Sequence, residues 1–134
     1  MHLEYTYSLT IFALGFLAVL MFLQVLVADI VGIRDKHVPG SHIPSDHGDL
    51  LFRASRVVAN TNEIIAVFIL AVLICLLSGA PENATGYSAW TFVVARLLYA
   101  AFYYLNWQLA RSTIFGVSLM AIAGLIVVGF SAWS

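Results

Sequence analysis

Residues 53–63 read Arg-Ala-Ser-Arg-Val-Val-Ala-Asn-Thr-Asn-Glu, and they lead without a break into the apolar run 64–77. Arg53, Arg56, Asn60 and Glu63 are spaced by three, four and three. On a helix that spacing places all four on one face. A charged group inside a bilayer costs several kcal/mol, so it turns toward a bundle interior, a partner or water. A segment that begins with such a stripe and ends wholly apolar reads as a helix entering a membrane, its polar face covered by protein.

Working outward, the 134 residues are 62% hydrophobic and only 10% charged, with a mean hydropathy of +0.96. A soluble domain carries roughly 25% charged residues, so a water-exposed globule is excluded. Four apolar runs account for the excess. At about 1.5 Å per residue, about 20 apolar residues cross the hydrocarbon core. Helices are expected over 9–32, from 49 through 77, over 88–109 and over 112–132. Pro39-Gly40 and Ile43-Pro44 make loop one, 33–48, a real break. Gly79, Pro81, Glu82 and Gly86 mark loop two, 78–87, and loop three is a turn at 110–113. Short connections predict an all-α, integral membrane four-helix up-down bundle, a single domain over 1–134. The residues before the first run include no cluster of positive charge, so that run is read as a retained helix and not a signal peptide.

All six basic residues are Arg34, Lys36, Arg53, Arg56, Arg96 and Arg111. Four of them flank loop one and Arg111 falls in loop three, which lies on the same side of the membrane. The positive-inside rule places both loops in the cytoplasm and both termini opposite. Trp90, Trp107 and Trp133 fall near helix ends; Trp90 and Trp133 are read as interface anchors. Six dispersed basic residues form no nucleic-acid surface. Cys75, the one cysteine, is read as a small buried hydrophobe. His2, His37, His42 and His47 are read as solvated residues of the terminus and loop one, and no metal site is expected.

Arg96, Tyr99 and Tyr103, spaced by three and four, form a second stripe on the third helix, and Asn106 extends it. Glu63 is the expected counter-charge of Arg96 if the two stripes face each other. One acid cannot neutralise Arg34, Arg53, Arg56 and Arg111, although Asp29, Asp35 and Asp49 offset part of the cluster. Three readings fit: salt bridges and hydrogen bonds between packed helices, arginines that hold lipid phosphates, or a pocket for a small ligand with carboxylates, which arginine grips bidentately.

The stripe Arg56-x-x-x-Asn60-x-x-Glu63, with Arg53 before it, resembles the second-helix signature of the MAPEG family, the membrane-associated proteins in eicosanoid and glutathione metabolism. Arg96-x-x-Tyr99-x-x-x-Tyr103, followed by Arg111-Ser112, resembles the third-helix pattern and the turn after it. The resemblance covers nearly the whole chain. It implies a homotrimer with glutathione held between adjacent subunits near the cytoplasmic side. It also implies that Arg56, Asn60 and Glu63 contact the tripeptide, with Arg34, Arg53, Arg96, Tyr99, Tyr103 and Ser112 completing the site. Arg111 matches the arginine that stabilises the glutathione thiolate in the leukotriene-forming members. Val58 and Ala59 stand where several members carry Arg or His, Tyr99 where many have His, and Ile64 where the leukotriene-forming members have Tyr. These differences argue against an eicosanoid substrate.

The resemblance implies a glutathione-dependent transferase or peroxidase acting on lipophilic electrophiles or lipid hydroperoxides that arrive through the surrounding lipid. A non-enzymatic lipid-binding protein of the same fold, or a structural membrane subunit, is the alternative. A chain this short without a basic retention-type tail is expected in a bacterial inner membrane in preference to the endoplasmic reticulum.

Overall fold

The computed structural model describes residues 3–134, so His2 lies outside the described residues. After a single helical turn, Leu3–Thr6, come four long helices: α1 (Ser8–Arg34), α2 (Leu50–Ser78), α3 (Glu82–Tyr104) and α4 (Gln108–Ser131). Helices α1 and α4 each pack on both α2 and α3 and make at most marginal contact with each other. Helices α2 and α3 meet across the bundle. The two helices with polar stripes therefore occupy its short diagonal, which buries the α3 stripe of Arg96, Tyr99 and Tyr103 but leaves Arg56 and Glu63 of α2 partly exposed.

Helix ends follow local chemistry. Asp49 caps α2 by accepting a 3.1 Å hydrogen bond from the Leu51 amide. Gly79, with φ of 69°, closes the other end in the left-handed conformation that glycine adopts without a steric penalty. Two expected boundaries move. Pro81 starts α3 at Glu82, six residues before the expected Ser88, because proline presets the φ of a helix start and its missing N–H would be unpaired there anyway. Helix α3 ends at Tyr104, and Asn106 takes φ of 60°. Asn106 thus breaks the helix and does not extend its stripe. Helix α4 begins at Gln108, so Arg111 and Ser112 belong to its first turn and not to a loop.

Helices α1, α2 and α4 are long and apolar enough to cross a membrane. Helix α3 is not among them; Glu82, Asn83 and Arg96 lower its hydropathy, and its partners cover it on three sides. Phe12, Phe16, Phe22, Ile30 and Met120 remain exposed, as side chains facing lipid do. Within the bundle, the Phe68 and Phe92 rings stack with centroids 4.0 Å apart. Gly129 lets α4 approach α2 so closely that an added Cβ would sit 2.8 Å from Ile74 Cγ2 and 3.3 Å from the Cys75 amide nitrogen. Cys75 is fully buried there, its thiol donating to the Leu125 carbonyl.

The end of the bundle remote from loop one is latched by groups from distant parts of the chain. Glu82, in the first turn of α3, accepts from the Leu9 amide at 2.7 Å, the Thr10 amide at 3.2 Å and the Thr10 hydroxyl at 3.0 Å. An acid borrowed from another helix thus caps the positive end of α1. The Tyr7 hydroxyl donates to the Ala80 carbonyl, and Trp90 Nε1 donates to the Leu9 carbonyl. Trp90 is therefore an interhelical brace in addition to a residue near the helix end.

Candidate functional site

The site begins with a buried cation. Arg96 on α3 is 0% exposed. Its Nη2 donates to Thr61 Oγ1 at 3.0 Å, and the Thr61 hydroxyl donates to Gln24 Oε1 at 2.9 Å. A relay of Arg96, Thr61 and Gln24 therefore joins α3, α2 and α1. The expected Arg96–Glu63 pair is not formed. Glu63 is more than half exposed and lies 3.8 Å from Arg56 Nη2, two helical turns back on its own face. The reason is register: Thr61, two residues before Glu63, is the α2 residue turned inward, so Glu63 points away from the Arg96 guanidinium.

Next along α3, the Arg96 guanidinium lies over the Tyr99 ring, 4.1 Å from its centroid. Tyr99 and Tyr103 tilt together at 5.5 Å, and Arg111 of α4 covers the Tyr103 ring at 4.2 Å. Val57 and Ala100 are buried with these two tyrosines, with Phe115 against Tyr99. Two guanidinium groups thus lie over two mutually tilted phenols, held there by cation–π contact.

Among the described residues, six buried side-chain atoms have no hydrogen-bond partner: Gln24 Nε2, Asn60 Oδ1, Arg96 Nε and Nη1, Tyr104 Oη and Arg111 Nη1. A buried polar group left unpaired costs about 1–3 kcal/mol. Three of them belong to the two arginines that lie over Tyr99 and Tyr103, which is uncommon, since the large majority of buried polar atoms have a partner. The six include cationic donors on Arg96 and Arg111 and a neutral acceptor on Asn60.

The remaining candidates lie differently. Arg53 is committed to structure: Nη1 donates to the His47 carbonyl at 2.6 Å and Nε to the Tyr104 carbonyl at 3.2 Å. It staples loop one to the end of α3. Arg34 is exposed and grips Asp35 through Nε at 2.7 Å and Nη2 at 3.2 Å. That hydrogen-bonded guanidinium holds the Asp35 carboxyl below the ordinary carboxylate range. The exposed Ser112 hydroxyl donates to the Gln108 carbonyl of its own helix. A cavity of about 660 Å³ between the end of α1 and loop one, bordered by Asp29 and His37, contains none of the stripe residues.

Sequence reasoning missed two contributors. Gln24 was detectable as the lone amide in an otherwise apolar stretch of α1, a residue type that bonds across helices in membranes. His47 is not a solvated loop residue: its Nε2 lies 3.3 Å from the Tyr103 hydroxyl, and its ring stacks on Tyr103 and meets Phe52 edge-on. Nothing in its sequence neighbourhood distinguishes it from His37 or His42. Among the described residues no cluster of metal-ligating side chains occurs.

No curated protein matches the sequence. The family model described as MAPEG family matches residues 9–131, from the first turn of α1 to the end of α4. The chain therefore belongs to the MAPEG family, a family of membrane proteins of eicosanoid and glutathione metabolism.

Proposed function

We propose that the protein is a membrane-bound, glutathione-dependent transferase or peroxidase for lipophilic electrophiles or lipid hydroperoxides. The observation that carries this reading is the set of unpartnered buried atoms on Asn60, Arg96 and Arg111. Glutathione presents two carboxylates, an ammonium group and a thiol, which complement cationic donors beside a neutral acceptor. Arg56, Asn60, Glu63, Arg96, Tyr99 and Tyr103 hold the tripeptide on this reading. Arg34 and Ser112, exposed on the single chain, reach it only in the assembled homotrimer, and Arg53 acts by fixing loop one.

A free thiol has a pKa of about 8.5 and reacts as the thiolate. Bound glutathione supplies that nucleophile. Arg111 stabilises the anionic sulfur, because a neighbouring guanidinium favours the charged form. The surrounding lipid concentrates the second substrate. A peroxidase reaction in the same site consumes two thiols per hydroperoxide, yielding an alcohol, water and a disulfide.

Calorimetry with glutathione on the detergent-solubilised protein tests the reading. Saturable binding by the wild type, abolished by Arg56→Ala and largely kept by Arg111→Ala with turnover lost, is the expected result. Absence of saturable heat at millimolar glutathione sinks it. A second reading, a non-enzymatic lipid-binding protein, is favoured by an apolar groove of about 210 Å³ between α1 and α3, lined by Leu20, Val27, Leu97 and Ala101. Fatty-acid binding without any response to glutathione supports that alternative.

A further inference from the structure

We infer that His47 is the proton acceptor of the site, working through Tyr103; this rests on the glutathione reading above. A backbone clamp and three ring contacts fix His47. Arg53 Nη1 holds the His47 backbone carbonyl at 2.6 Å, and the same guanidinium bonds the Tyr104 carbonyl at 3.2 Å. Loop one is thus tied to the residue next to Tyr103. The imidazole then stacks near-parallel to the Tyr103 ring, with 25° between planes, while Phe52 meets its edge at 85°. Its Nε2 comes within 3.3 Å of the Tyr103 hydroxyl. In the tautomer with the proton on Nδ1, Nε2 accepts and the phenol donates.

Charge around the ring is accounted for from each element. Asp46 and Asp49 on the loop are occupied by the Gly48 and Leu51 amides. Arg53 of α2 faces the carbonyl of His47, Tyr103 of α3 faces Nε2, and Arg111 of α4 lies over the Tyr103 ring. No carboxylate is hydrogen-bonded to the imidazole among the described residues, so Tyr103 is its proton source. Arg111, the residue assigned to the sulfur anion, touches the very ring whose hydroxyl meets His47. Thiol, phenol and imidazole therefore form one line of transfer.

The transfer balances. The Tyr103 oxygen takes the thiol proton while the Tyr103 hydroxyl gives its own proton to His47 Nε2. The thiol becomes a thiolate beside Arg111, Tyr103 stays neutral, and His47 becomes an imidazolium. No proton leaves the protein. Imidazole suits the role because its neutral form accepts at one ring nitrogen and holds the added proton there. His47 is a positioning and proton-holding residue; Tyr103 is the group that touches the thiol.

Proton bookkeeping tests this without relying on turnover. Thiolate formed on glutathione binding is read from its ultraviolet absorbance. Protons released are read from the binding heat in buffers of different ionisation enthalpy. At mildly alkaline pH the wild type is expected to retain about one proton per thiolate, and His47→Gln and Tyr103→Phe about none. Gln places an acceptor where Nε2 stood but does not take up a proton, so positioning survives while basicity is lost. The backbone clamp by Arg53 does not involve the imidazole, and Tyr103→Phe reaches the same readout by a second route. Equal retention in the wild type and both variants, or full release by the wild type, overturns the inference while glutathione binding stands. No saturable binding by the wild type overturns the glutathione reading and this inference with it.

Discussion

At the residue scale, the buried Arg96 defines how this protein handles charge. A guanidinium with no carboxylate partner is costly in a low-dielectric interior, and the single hydrogen bond it donates to Thr61 does not offset that cost. The cation–π contact with Tyr99 compensates part of it, and a bound anion would compensate more. Thr61 is the hinge of this arrangement, because its hydroxyl serves Arg96 and Gln24 together. Thr61→Val keeps the shape and removes both bonds. It is expected to lower stability by about 1–2 kcal/mol, seen as a lower melting temperature in detergent. Thr113→Val is the control: that hydroxyl is exposed and bonds only its own helix, so the melt should scarcely move. Equal effects from the two would remove the relay from the account.

At the element scale, close approach and borrowed caps hold the helices in register. Gly129→Ala would drive a methyl group into Ile74 and the α2 backbone, whereas a methyl at Gly116 meets nothing within 4 Å. Overpacking costs about 1–3 kcal/mol, while a helical Gly→Ala change in open space gains about 0.5–1 kcal/mol. The two variants should therefore shift the melting temperature in opposite directions. The Tyr7–Glu82 latch carries a pH signature. Burial first, and the Glu82 charge second, raise the Tyr7 phenol above its ordinary value. A group raised in the folded state contributes stability that is complete below the unfolded value and is lost as pH rises through the folded one. Wild-type stability should thus fall from about pH 10 upward, and Tyr7→Phe should start lower and fall less steeply over that window. Parallel curves would rule out the latch as the titrating element.

These elements also show what the sequence could disclose. The stripe spacings were sufficient to place Arg56, Asn60 and Glu63 on one face and Arg96, Tyr99 and Tyr103 on another, because helical periodicity is a property of the chain alone. They could not show that Thr61 and not Glu63 meets Arg96, since the rotation of α2 about its own axis is decided by packing against three neighbours. The early start of α3 was legible in Pro81-Glu82, but the polar residues after it concealed a helix that needs cover more than apolar length. His47 was illegible: its role depends on a clamp by Arg53, across a loop, to a helix more than 50 positions away.

At the scale of the whole molecule, the single chain carries a polar face that its own helices do not cover. Arg56 and Glu63 leave 41% and 57% of their side chains exposed on a helix that otherwise crosses a membrane. An ion pair so exposed is stable beside water or protein but not beside acyl chains. Apolar exposure elsewhere, by contrast, suits lipid: Phe12, Phe16 and Phe22 of α1 need no further cover. The polar face of α2 is thus the surface a second copy should bury, which is where a homotrimer with intersubunit sites would form. Chemical cross-linking in mild detergent is expected to trap a three-subunit species. Arg56→Leu paired with Glu63→Leu should keep the assembly by replacing the ion pair with apolar contact, while Glu63→Leu alone, stranding the Arg56 charge, should weaken it. A chain that stays monomeric at every detergent concentration would place the stripe against water or lipid headgroups instead. The sidedness expected from the basic residues is testable as well: with buried Cys75 replaced by Ala, a probe cysteine introduced by Ser41→Cys in loop one should resist a membrane-impermeant maleimide added outside, and one introduced by Ser134→Cys should react. The reverse pattern would put loop one, and with it His47 and the mouth of the site, on the outer side, where a cytoplasmic thiol could not reach them.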